Sequence, residues 1–107
     1  MADYVVNKAG AKIFSDITKH KTLPIPTLLT QQAEGAVYEV LSVGMHGGTR
    51  TPIATVKEGG KSVAYVLPEG LNGWVENTML MSMQGIKLLP SKIEFGILDG
   101  RTYAEIL

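Results

Sequence analysis

Short runs in which apolar and polar residues alternate recur along this chain and are broken every few residues by glycine, proline or asparagine. That is the spacing of half-buried strands joined by tight turns. Tyr4-Val5-Val6 and Ala11-Lys12-Ile13-Phe14 predict two short strands, or one bent strand, about the turn at residues 7–10. Residues 15–26 are polar and end in Leu23-Pro24-Ile25-Pro26. Two prolines there remove two amide donors, which predicts a surface loop with an extended end, an excursion from the sheet. After a turn at residues 31–35, Ala36-Val37-Tyr38-Glu39-Val40-Leu41-Ser42-Val43 reads as a strand. Gly44, Gly47 and Gly48 make residues 44–52 a long mobile loop by composition. Ile53-Ala54-Thr55-Val56-Lys57 and Ser62-Val63-Ala64-Tyr65-Val66-Leu67 form an antiparallel pair about a hairpin turn at Glu58-Gly59-Gly60-Lys61. Gly73-Trp74-Val75 is expected as a short closing strand. Ile86-Lys87-Leu88-Leu89, Ile93-Glu94-Phe95-Gly96-Ile97-Leu98 and residues 102–107 are three further apolar runs, the last a strand or a helical turn.

Composition narrows the class. The chain has 107 residues, five prolines and twelve glycines, the size of one domain and the mix of an all-β layout. Ten basic and ten acidic residues cancel, so no broad positive field is expected and nucleic-acid binding is argued against. The absence of cysteine removes disulfides, thiolate metal sites and cysteine nucleophiles, and two histidines do not make a metal centre. No cofactor is expected. No leader pattern and no apolar run of membrane-spanning length is visible, so the expectation is a cytoplasmic protein without a membrane partner.

Asn72-Gly73-Trp74-Val75-Glu76-Asn77-Thr78-Met79-Leu80 resembles the closing segment of the bacterial Src-homology-3-like domains, a glycine, then Trp-Val, a polar pair and an apolar pair. Tyr4-Val5-Val6, Lys12-Ile13-Phe14-Ser15-Asp16 and Gly35-Ala36-Val37-Tyr38-Glu39-Val40-Leu41 are similar to that family's opening strand, the polar loop after it, and its Val-x-Val strand. The chain differs by a longer loop at residues 15–26, a glycine-rich loop at 44–52 and the lack of Arg-x-Gly-Pro after the first strand. The resemblance implies an all-β fold: a small Src-homology-3-like barrel over residues 1–80, with residues 81–107 as a C-terminal β extension packed on the same domain. In such a barrel Trp74 would lie across the core.

The chemistry visible in the sequence is that of binding. Glu58-Gly59-Gly60-Lys61-Ser62 has the glycines and Lys-Ser of a phosphate loop, but Thr55 stands where its first glycine belongs, and a hairpin is the wrong context. His46, Thr49, Arg50 and Lys61 could together grip a phosphate or carboxylate from neighbouring loops. His20, between Lys19 and Lys21, reads as an exposed basic turn. No convergent acid, base and nucleophile can be read, so the chain is expected not to be an enzyme. Met79, Met81 and Met83 would share one face of a strand, and Ile93, Phe95 and Ile97 alternate on another. More apolar surface results than a barrel needs for itself, which predicts a protein interface on those six residues. The expected function is a non-catalytic binding module acting through a protein partner or through homo-oligomers. The alternative is a small-ligand or nucleotide-sequestering binder of anions, of the kind phages encode to inhibit host systems.

Overall fold

Residues Ala36–His46 form one long strand, β3, about which the other elements are arranged. The computed structural model describes residues 3–30, 32–47 and 50–107. Before β3 come the short strands β1 (Tyr4–Val6) and β2 (Lys12–Phe14). After it come β4 (Thr51–Glu58), β5 (Lys61–Val66), the helix α1 (Asn72–Met83), β6 (Ser91–Leu98) and β7 (Arg101–Ile106). Strand dominates, in keeping with the expected all-β character, and the order in the main sheet is β5-β4-β3-β6-β7, antiparallel throughout.

The length of β3 is divided between two neighbours. Residues 36–40 pair with β6, and residues 40–46 pair with β4 across a register shift between Val40 and Ser42. A bulge of this kind bends and twists its strand, so the two ends of β3 serve differently directed halves of the sheet. Val40, where the halves meet, is fully buried. Among the described residues the ladder does not close into a barrel. The ends of β5 and β6 are instead joined by residues 21–28: Thr22 bridges Val66 and Thr27 bridges Ile97.

That crossing corrects the reading of residues 15–26 as an excursion from the sheet. Leu23 is 2% exposed and sits in the core, with Ile25 packed beside it. The prolines fall where no donor is required: Leu23 N–H donates to the Val66 carbonyl and Leu28 N–H to that of Ile97, while the Pro26 carbonyl accepts from Ile97 N–H. Tyr38 adds a hydroxyl bond of 2.7 Å to the Pro24 carbonyl.

Two other expectations are overturned. Of the span 44–52 read as a long loop, residues 44–46 and 51–52 are paired strand, Gly44 opposite Ile53 and His46 opposite Thr51. Gly47 and Arg50 at its turn both have positive φ. The supposed strand at Gly73-Trp74-Val75 is the start of α1. Leu71, Trp74, Val75, Thr78 and Met79 recur at intervals of three and four, the spacing of one helical face, and all turn toward the sheet. The helix stops at Gly85, whose φ of +86 lets Ile86 N–H reach back to the Met81 carbonyl and Gly85 N–H to that of Ser82. Under α1 lies the core: Val75 with Leu67, Leu71, Val56, Ile93 and Phe95. Trp74 meets Phe95 edge-on, ring centroids 5.6 Å apart. Residues 81–107 take part in the same sheet. Their strand β6 lies beside β3, inside the sheet.

On the face away from α1, Tyr103 of β7 pairs with Gly96 of β6 and donates its hydroxyl to Glu94 Oε2 at 2.5 Å. That bond to a carboxylate, helped by desolvation, pushes the phenol up to about 12. A tyrosine raised in the folded state contributes stability that is complete below its unfolded value near 10 and is lost as pH climbs toward 12. An alkaline absorbance titration of the four tyrosines is expected to show a last step near pH 12 that disappears in Tyr103→Phe. A Tyr103→Phe titration that keeps this step would reassign it.

Candidate functional site

The anion-gripping set read from the sequence does not assemble. Arg50 precedes β4 and Lys61 follows the turn at its far end, about 26 Å away at the rise of a strand. Arg50 is engaged with Glu76 of α1 at 2.8 Å. His46 points elsewhere, its Nε2 lying 2.7 Å from the Phe14 carbonyl. Thr49 lies outside the described residues.

The apolar interface set divides. Ile93 and Phe95 are each 0% exposed and belong to the core, so the cover their alternation demanded is α1 and not a partner. Ile97 is half-buried, its backbone bonded to residues 26–28. Because the methionines lie on a helix, Met79 and Met83 share a face and Met81 does not. Met79 packs toward the core while Met83 is exposed. Leu80, Met83 and Ile86 leave an apolar rim at the end of α1, beside a groove of about 520 Å³ against the bulge in β3.

The feature the sequence reading missed is a lysine-lined groove. It is built from the β1–β2 hairpin upward. Asn7 opens the hairpin turn, its Oδ1 accepting from the N–H groups of Ala9 and Ala11. The same side chain donates through Nδ2 to Thr55 Oγ1 at 2.9 Å, which sews the hairpin onto the outer face of β4. Ala11, Ile53 and Ala64 are buried between the two layers, flanked by Ile13 and Ile17. After β2, Asp16 receives the hydroxyl and amide of Thr18, two bonds that hold its carboxyl below the usual range and start the 3₁₀ turn Ile17–Lys19.

Phe14 completes the frame. Its N–H donates to His20 Nε2 at 3.0 Å and its carbonyl faces His46 Nε2. His20, expected as part of an exposed turn, is therefore half-buried and turned in toward β2. These contacts leave a cavity of about 650 Å³ between the hairpin and the outer side of β5, lined by Lys12, Lys19, Lys21 and Lys61 together with Phe14, His20 and residues 61–65. No carboxylate is in that lining. Lys12 also lies over the Tyr4 ring at 4.8 Å, and Lys19 pairs at the rim with Asp3, which lowers the carboxyl and raises the ammonium. Of the candidate binding residues read from the sequence, only Lys61 lines this groove.

Among the described residues no cluster of metal-ligating side chains is formed, and no helix is long and apolar enough to cross a membrane. No protein-family model matches the chain, and neither a curated protein nor a solved structure matches it.

Proposed function

We propose that this chain is a non-catalytic binding module whose ligand brings negative charge to the lysine-lined groove between the β1–β2 hairpin and β5. The observation that carries this reading is the grouping of charge: the chain is neutral overall, yet four lysines and no carboxylate line one cavity, with Asp3 paired to Lys19 at its rim and Glu58 bonded to the Tyr65 hydroxyl beside it. Ammonium groups gathered in a cleft raise the local potential and favour an anion there. The sheet beneath is read as a small opened barrel, supported by the bridges that residues 21–28 make to β5 and β6. Its Src-homology-3-like character has that arrangement in its favour, while the helical Gly73-Trp74-Val75 segment lends it nothing.

Calorimetric titration with poly-L-glutamate at low ionic strength tests the reading. Binding is expected to weaken with salt and to fall about tenfold in the double variant Lys21→Glu, Lys61→Glu, two losses of about 0.7 kcal/mol each. Equal binding by the variant, or none by the parent chain, refutes it.

A second reading, self-association through the end of α1, is favoured by the exposure of Leu80, Met83 and Ile86. Light scattering on the same samples reads it directly. A constant monomer mass across the concentration range removes it.

A further inference from the structure

Resting on the reading of the groove as an anion site, we infer that its occupant is an extended acidic peptide segment, added to the open edge of β5 as a further strand. The backbone geometry of β5 makes the case. In its antiparallel pairing with β4 around the two-residue turn at Gly59 and Gly60, Lys61, Val63 and Tyr65 direct their N–H and C=O groups to β4. Ser62, Ala64 and Val66 direct theirs to the other side. At Val66 that outward pair is in use: its N–H donates to the Lys21 carbonyl, and its carbonyl accepts from Leu23 N–H, both at 2.9 Å. The chain thus already lays an extended segment of its own on this edge, at Thr22 beside Val66. Among the described residues, Ser62 and Ala64 have no such backbone partner. The lysine-lined cavity lies along them.

Length and charge fit the same occupant. Residues 61–65 all line the cavity, a run of about 13 Å, enough for four or five residues of extended chain. Lysines stand on both sides of the strand that would be added. Lys12 belongs to the hairpin stacked on the Ser62 and Ala64 face, while Lys61 shares the opposite face with Val63 and Tyr65. An added strand turns alternate side chains to opposite faces, so carboxylates on either one meet an ammonium. The other edge strand, β7, carries both signs in Arg101 and Glu105. A peptide is favoured over nucleic acid because Ser62 and Ala64 offer outward C=O groups as well as N–H groups. A phosphate satisfies only the latter, whereas a strand satisfies both.

The test uses the full chain with an acetylated, amidated hexapeptide alternating glutamate and threonine. The same peptide N-methylated at every residue and a single-stranded thymidine hexanucleotide serve as comparison probes. The parent peptide is expected to bind and to slow hydrogen exchange at the Ser62 and Ala64 amides at least tenfold, and its N-methylated form to bind at least tenfold more weakly. Equal binding of the two peptides, with no change at those amides, overturns strand addition and leaves the anion reading standing. Binding of the oligonucleotide in preference to the peptide overturns the peptide occupant but likewise leaves a charged groove. Binding of none of the three overturns both.

Discussion

Phe95→Ala is expected to remove about 3 to 5 kcal/mol of stability, a large share of the roughly 5 to 15 that a domain of this kind possesses. Phe95 is 0% exposed in β6, pairing with Ala36 on one side and Ala104 on the other. Its ring is met by Trp74 of α1 at 5.6 Å and by Tyr38 of β3 at 6.1 Å. Elements from three parts of the chain converge on it, and their backbones are held by the sheet, so the space left by the ring cannot collapse. Trp74 was the core anchor expected from the sequence, yet it remains half-buried at the helix rim. Trp74→Ala is therefore expected to cost less than Phe95→Ala. Urea unfolding of both variants decides the order, and a larger loss for Trp74→Ala would move the centre of the core to the helix.

How much of this was legible depends on whether a feature is local. The turn at Gly59 and Gly60 is local: both residues have positive φ, and the alternating runs on either side pair as the sequence indicates. The inward alternation of Ile93 and Phe95 was equally readable. What covers them was not, because α1 carries weak signals of its own. Leu71 at its start makes no side-chain cap, Gly73 lowers helix propensity, and exposed Leu80 and Met83 blur the polar face. With those marks missing, three residues, Gly-Trp-Val, suffice to imitate a strand.

Residues 44–52 misled for a related reason. Three glycines and a proline count as a loop by composition, but Gly44 occupies a paired position opposite Ile53 and only the turn itself needs positive φ. The groove was hidden more deeply. Net charge is a sum over the chain, whereas a binding site is a sum over space. Lys12, Lys19, Lys21 and Lys61 meet because Asn7 ties the hairpin to Thr55, a contact between residues 48 apart that no periodicity announces. The run Lys19-His20-Lys21 was the one trace in the sequence, and it looked like any solvated turn.

Gly35→Ala is expected to destabilise the fold by about 3 kcal/mol, at the upper end of what overpacking costs. A methyl carbon at Gly35 would stand 2.2 Å from the Phe95 carbonyl oxygen and 2.9 Å from the Tyr103 hydroxyl. The first of these is a backbone atom in a strand paired on both sides, so relief requires moving the middle of the sheet. Gly96→Ala provides the contrast. Its methyl would come 2.5 Å from the Tyr103 ring, but that ring is the movable end of a side chain on the outer face and can swing away at the loss of its bond to Glu94, a smaller cost than moving the sheet. Combining each substitution with Tyr103→Ala separates the two obstacles, since only residues in contact depart from additivity. Tyr103→Ala should relieve most of the defect of Gly96→Ala and little of that of Gly35→Ala, as read from urea midpoints. Equal relief of both would mean that the Tyr103 ring, and not the Phe95 carbonyl, fills the space beside Gly35.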